Sequence, residues 1–467
     1  MLFNSFDFAV FILLVWLLHW AVRTHAWRKW ILLSASLLFY GWWDWRFLPL
    51  LVGVSLMAWF CARGCGRALA DNNPGLASRF TRLAVISSLL ALGFFKYVLF
   101  ALDALSDLAG AVGWNVVPPA FSIVLPVGIS FYTFQALSYV IDVRRGKCEA
   151  EKSFLDVLFY IAFFPQLVAG PIVHAAGFMP QARTARRITP QHITNGVRLM
   201  IWGLMLKVVF GDALATWADP VFDAPLDYTL AGRWLGALAF AGQIYFDFAG
   251  YSTIAIGLGL TFGYVLPENF RTPYVAQSVT DFWRRWHISL STWLRDYLFI
   301  PLGGNRSHHF RNLMITMVLG GLWHGASWNF VLWGGLHGLG LCVHKLWSKS
   351  ARVMPSVPAW LLTQMFVLIT WVPFRANDMK ATLAFFTTEA SSRAALVPAC
   401  DITWLWLLIP LVLDALLGPK ITALEAVAEQ SSARGRSFVT GFSLGIALLM
   451  VFALGHWSSK AFIYFQF

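Results

Sequence analysis

Thirteen long apolar runs recur along the chain: Phe6–Val22, Ile31–Trp43, Phe47–Ala62, Leu83–Leu102, Phe121–Ile141, Phe154–Val173, Gly196–Trp217, Trp234–Phe262, Leu313–Phe330, Leu332–His344, Trp360–Phe374, Trp404–Leu417 and Phe438–His456. No soluble core hides so many. With 58% hydrophobic and 12% charged residues, against roughly 25% charged in ordinary soluble domains, the sequence reads as a polytopic membrane protein. Lipid leaves the backbone no solvent partners, so runs of this length select α-helices. Several runs fall short of about 20 residues or are broken by Gly and Pro, which predicts about eleven spans plus one or two re-entrant segments. The expected architecture is an all-α polytopic membrane protein, a single integral membrane domain over 1–467 with its motif-rich core at about 121–375.

The net charge of +12 would suggest nucleic acid in a soluble protein, but here loop charges account for it and nucleic-acid binding is excluded. Suppose the N-terminus lies outside and Phe154–Val173 returns to the side it left. Then 26 of the 35 basic residues fall in inside loops and six in outside loops (Arg46, Arg233, Arg375, Lys380, Arg393 and Lys460). A full crossing at Phe154–Val173 would invert every later loop and destroy this bias. The re-entrant reading therefore follows from the positive-inside rule, and FFPQLVAGP, with two prolines and a glycine, suits it. The first run, without a basic flank or small-residue cleavage site, reads as a retained span. Five cysteines, Cys61, Cys65, Cys148, Cys342 and Cys400, show no metal-like spacing and read as reduced; no metal or tightly bound cofactor is expected.

The chemistry concentrates between Asp281 and Trp328. DFWRRWHISLSTWLRDYLFIPLGGNR is cationic and Trp-rich, and NLMITMVLGGLWHGASW after it is apolar. His324 stands about twelve residues into the apolar half, about 18 Å deep in a hydrocarbon core of roughly 30 Å. An ionisable group at that depth is a site hypothesis, and a neutral imidazole there can act as general base toward a hydroxyl attacking a thioester. The competing reading is a histidine hydrogen-bonded between helices, which is the reading favoured for His337 in WGGLHG. Arg284 and Arg285 suit a headgroup-level segment or an anionic donor's phosphates. His287 is then a second catalytic or donor-orienting group. Asp247, a carboxylate inside a span, either orients an imidazole or binds a lysine. There is no phosphate-binding loop and no nucleophile elbow.

These blocks, with LPVGISFYTFQALSYVIDVRRG, FFPQLVAGPI and YGWWDWRF, resemble the signatures of the membrane-bound O-acyltransferases, and within them the branch of the membrane component of alginate O-acetyltransferase. The likeness runs from about Leu125 to Arg375. It implies a helical shell around a tunnel, His324 as the family's intramembrane histidine and His287 as its second histidine. Arg284, Arg285, Trp286, Arg295, Asn305, Trp323 and Asp247 are then expected to bind the donor or line the tunnel. It further implies acetyl-CoA as donor from the cytoplasm and a bacterial inner membrane with a periplasmic N-terminus. The partners implied are membrane lipid and periplasmic acetyl-handling proteins that modify an exopolysaccharide, alginate or cellulose. The sequence departs from the branch pattern in FDFAGYST, with Ala249 where serine is usual and Thr253 where aspartate is usual, and in WVPFRA, with Pro373 where an aromatic is common. The rival readings are D-alanyl or other acyl transfer to a cell-wall polymer, and a polymer or lipid transporter that makes no bond.

Overall fold

The computed structural model describes residues 1–114, 121–168, 170–184, 188–350, 353–387, 445 and 448–455. Among them every regular element is helical, as the apolar runs require. The runs Trp404–Leu417 and, apart from 445 and 448–455, Phe438–His456 lie outside the described residues. Packing divides the chain into two units, Met1–Thr194 with Leu258–Pro267, and Asn195–Gly257 with Glu268–Phe467.

The first unit holds α1 (Phe6–Ala21), α2 (His25–Asp44), α3 (Leu48–Ala70), α4 (Pro74–Leu92), α5 (Val98–Ala111), α6 (Ile129–Arg144), α7 (Phe154–Ala162), α8 (Phe164–Leu167) and α9 (Ala175–Arg183). Between α2 and α3, Asp44 leaves the helical region and its carboxylate accepts from the Arg46 N–H, so one apolar stretch becomes two helices. α6 is buried along nearly its whole length. The segment read as re-entrant is two short helices. α7 has nine residues, roughly 14 Å of helix, less than half a hydrocarbon core. Phe163, at ψ 109°, breaks the helix before the four-residue α8.

The second unit takes α10 (Pro190–Met205) from Asn195 onward, then α11 (Asp212–Asp223), α12 (Leu230–Thr261) as far as Gly257, α13 (Val279–Arg285), α14 (Ile288–Leu294), α15 (His309–His324), α16 (Trp328–Trp347), α17 (Ser356–Arg375) and α18 (Met379–Phe386). Among the described residues, four helical stretches are long and apolar enough to cross a membrane: His25–Ala70, Pro74–Ala111, Pro190–Asp223 and Ser356–Arg375. Among the other described apolar runs, some form helices that are short, as α1 and α15 are, or split, as α7 and α8 are.

The structure interrupts the apolar run at His324. The apolar run reads as one span through Phe330, yet α15 stops at His324, Gly325 is extended, and α16 starts at Trp328. Glycine lets the two helices return against each other. A Cβ on Gly321 would lie 2.1 Å from the Phe330 carbonyl oxygen, and one on Gly334 would lie 2.3 Å from that of Met317. Backbone contact through small residues is how helices associate where no hydrophobic drive separates protein from solvent.

Ion pairs join loops that the charge count assigns to one side. Arg375 meets Asp219 at 3.0 Å and Asp223 at 3.9 Å, and the Asn329 amide donates to the Ala376 carbonyl at 2.8 Å. At the other ends of these helices, His344 and Thr280 are hydrogen-bonded at 2.8 Å and the Trp360 indole donates to the Tyr274 carbonyl at 2.8 Å. In the first unit Lys29 pairs with Asp156 and Arg183 with Glu151 at 2.7 Å.

The interior ion cluster of the second unit ties three elements. Lys207 sits on a π-helical turn, Leu206–Gly211, between α10 and α11. Its ammonium lies 2.7 Å from Asp212 on α11 and 2.7 Å from Asp247 on α12, and the three side chains are 1%, 3% and 4% exposed. Asp247 thus binds a lysine, the second of the two roles its sequence position allows.

Two substitutions test this packing. Lys207→Met should destabilise by about 3–5 kcal/mol, because it strands two carboxylates in the interior. Adding Asp212→Asn and Asp247→Asn to it should recover much of the loss, read from thermal unfolding in detergent. Gly334→Leu should cost at least about 1–3 kcal/mol by wedging α15 from α16, seen as loss of the monodisperse peak in size-exclusion chromatography.

Candidate active site

The backbone that carries His287 is a break between two seven-residue helices. Ser278 caps α13 by accepting from the Asp281 N–H, and the helix ends at Arg285. Trp286 is extended and His287 takes the left-handed conformation at φ 41°, ψ 55° before α14 begins. A non-glycine residue there costs of order 1–3 kcal/mol and persists only where its surroundings impose it. The constraint is the loop before α13. The Asn269 carbonyl accepts from the Ile288 N–H at 2.9 Å, and the Arg271 N–H donates to the Arg285 carbonyl at 2.9 Å. The Asn269 side-chain oxygen meets His287 Nδ1 at 3.1 Å, the Ser289 N–H at 3.2 Å and the Ser289 hydroxyl at 2.8 Å.

His324 arrives from the end of α15. Its ring centroid is 6.5 Å from that of His287, too far for direct hydrogen bonding and close enough for both imidazoles to face one small group. Both residues are buried, at 3% and 0% exposure for His324 and His287. Rings enclose them: Trp323 at 5.1 Å, Trp333 at 5.1 Å, Phe374 at 5.2 Å and Phe330 at 6.4 Å from His324. Phe248 at 4.7 Å, Trp323 at 5.9 Å and Phe270 at 6.4 Å surround His287. Trp371 lies behind, 5.2 Å from Phe374 and 5.0 Å from Trp286. Such a box surrounds both imidazoles with apolar surface.

The structure gathers only part of the expected set. His287, His324 and Trp323 form the centre, and Trp286 reaches it through Phe270, 5.0 Å away. Arg285 is paired with Asp281 at 2.9 Å. Arg284, Arg295 and Asn305 are exposed. Arg295 pairs with Asp296 at 2.7 Å, and Arg271 pairs with Glu268. The carboxylates of Asp296 and Glu268, by hydrogen bonding, raise the guanidinium pKa values of Arg295 and Arg271. Arg284 has no ion-pair partner among the described residues, which leaves it the most available to an anionic ligand. Asp247 belongs to the lysine cluster, yet its neighbour Phe248 faces His287.

His337 takes the structural role that the sequence favoured. Its Nδ1 accepts from the Trp283 indole N–H at 3.2 Å, and its Nε2 meets the Thr370 hydroxyl at 3.0 Å. Thr370 in turn donates to the Val367 carbonyl at 2.8 Å.

Sequence reading missed Asn269, Phe248, Phe270, Trp371 and Phe374. Phe248, Trp371 and Phe374 look like any other aromatics in apolar runs, and nothing in the spacing of PENFRTPY marks its asparagine or its phenylalanine.

A model of the membrane-bound O-acyltransferase family matches residues 150–377, a range that holds both histidines and Asn269. The chain is 42% identical over 386 residues to a protein of Pseudomonas aeruginosa named a probable alginate O-acetylase, covering 81% of this chain and 73% of that one. To the peptidoglycan O-acetyltransferase of Helicobacter pylori it is 37% identical over 390 residues, 76% of this chain and 72% of that one. To the teichoic acid D-alanyltransferase of Bacillus subtilis it is 27% identical over 253 residues, 51% of this chain and 64% of that one. Helical architecture, paired buried histidines and these likenesses agree: the chain belongs to the membrane-bound O-acyltransferase family, on the branch of the alginate O-acetyltransferases, and is an O-acyltransferase.

Proposed function

We propose that this enzyme takes acetyl groups from acetyl-CoA on the cytoplasmic side and passes them across the bacterial inner membrane for O-acetylation of an exopolysaccharide of the alginate or cellulose type. The observation that carries the chemistry is the pair of buried imidazoles 6.5 Å apart in a box of rings. His324 acts as general base. Its neutral imidazole takes the proton of an acceptor hydroxyl as the oxygen attacks the thioester carbonyl, the C–S bond breaks, and the proton leaves with the thiolate. His287 assists from the facing turn, holding the donor or the developing charge.

The donor's phosphates need cations outside the box. Arg284, exposed on α13 beside the His287 turn, supplies a guanidinium without an ion pair among the described residues, the group best suited to bidentate contact with phosphate. The cytoplasmic placement of this face is supported by the basic bias of its loops and by the contacts that tie loops of one assigned side together. Delivery to the polymer falls to periplasmic acetyl-handling partners.

The likeness to a teichoic acid D-alanyltransferase favours one second reading, transfer of an aminoacyl group from a carrier thioester. Its chemistry at His324 is the same and its donor differs.

Replacing His324 by Ala should cut acyl transfer by at least about 10²-fold while the protein stays in the membrane at normal abundance. The measurement is the O-acetyl content of the host's exopolysaccharide beside a deletion strain. Acetylation that survives His324→Ala would refute the base assignment. An exopolysaccharide with equal acetyl content in wild type and deletion strain would refute the acetyl reading and favour the aminoacyl one.

A further inference from the structure

We infer that Asn269 is a positioning residue that fixes His287 as the Nδ1–H tautomer and so makes Nε2 its basic atom. The argument starts at Ser289. Its backbone N–H can only donate, and it points at the Asn269 side chain over 3.2 Å. The atom facing it must therefore be the amide oxygen. The other end of the amide agrees, since its nitrogen donates to the Ser252 hydroxyl at 3.0 Å. With the oxygen placed, His287 Nδ1, 3.1 Å from it, faces an acceptor and must carry the proton. In a neutral ring the remaining lone pair is then on Nε2.

The same asparagine fixes where that lone pair stands. Its backbone carbonyl holds the Ile288 N–H at 2.9 Å, so main chain and side chain together clamp the left-handed His287 from both sides. Phe248 packs edge-on against the ring at 4.7 Å and opposes a flip. His337 provides an internal contrast. The Trp283 indole can only donate, so His337 Nδ1 is the acceptor and Nε2 carries the proton toward Thr370. The second unit thus holds two buried imidazoles of opposite tautomer, one made to accept at Nε2 and one spent on structure.

The tautomer stands on geometry alone; its catalytic consequence rests on the role given to His287 above. The first test reads the tautomer without activity. The full-length protein is labelled with ¹⁵N-histidine, reconstituted in lipid and examined by solid-state NMR, the His287 and His337 signals being assigned with His287→Gln and His337→Gln. The expected result is a protonated Nδ1 and a bare Nε2 for His287, with the reverse for His337. An Nε2–H signal for His287, or protonation of both its nitrogens, would overturn the assignment.

The second test separates positioning from bulk stability. Asn269→Ala should lower kcat for acyl transfer by on the order of 10²-fold with KM for the donor little changed. Asn269→Asp keeps an acceptor on Nδ1–H, and the Ser252 hydroxyl can turn to donate to it. It should recover activity above the alanine variant, with the acid limb of its pH profile moved up by about one unit or more, because the new carboxylate favours the imidazolium that a base must lose. Equal activity in both variants and wild type would overturn the positioning role. If the alanine variant does not fold, the wild-type NMR spectrum and the aspartate pH profile still decide. An Nδ1–H signal together with full activity in His287→Gln would leave the tautomer standing and remove the catalytic role of His287.

Discussion

Lys207 holds Asp212 and Asp247 at 2.7 Å each inside a part of the molecule where none of the three can reach water. In such surroundings the attraction between opposite charges is strong and the penalty for losing a partner is larger still. α11 and α12 therefore keep their register through this cluster. The residue after Asp247 is Phe248, whose ring lies on His287. About one helical turn further along, Ser252 takes the Asn269 amide proton at 3.0 Å. α12 thus touches the His287 turn twice, and both contacts are set from the buried lysine.

This dependence explains which parts of the site could be read from the chain. The two histidine blocks are contiguous, and each carries its own signal: cationic residues with tryptophan around His287, glycine with tryptophan around His324. What holds them is assembled from distant places. Lys207 and Asp247 are forty positions apart and Asn269 and His287 eighteen, with loop and α13 between the latter, so no helical period links either pair. The helix end at His324 was hidden for a different reason. Hydropathy records how apolar a run is, not where its helix stops, and the stop at Gly325 depends on Gly321 and Gly334 letting α15 and α16 touch. The short α7 and α8, by contrast, follow from prolines and a glycine visible in the chain, and the loop charges point the same way.

The rings around the histidines do more than fill space. Phe248, Trp323, Trp333 and Phe374 each present an edge or face to an imidazole at 4.7 to 5.9 Å. Aromatic walls of this kind are stiff, since few torsions move them, and they offer little competing hydrogen bonding. Orientation of the imidazoles then falls to the few polar partners present. For His337 those partners use both ring nitrogens. For His287 the Asn269 oxygen engages Nδ1, and for that reason a single amide has leverage over the chemistry of the whole box.

Both histidines of the box also occur where a helix breaks. His287 is the left-handed residue between α13 and α14, and His324 is the last residue of α15 before the chain turns into α16. Irregular backbone inside a packed interior is tolerated only where its N–H and C=O groups find partners in the surrounding protein. At the first break the Asn269 carbonyl serves the Ile288 N–H. At the second, the Asn329 amide ties the start of α16 to the Ala376 carbonyl. A continuous helix through either point would be easier to stabilise. It would also carry its histidine on a regular face, held by packing along the helix axis, with no free choice of direction. Breaking the helix frees each imidazole from that constraint, and at the His287 break the Ile288 N–H is satisfied by the Asn269 carbonyl of the neighbouring loop.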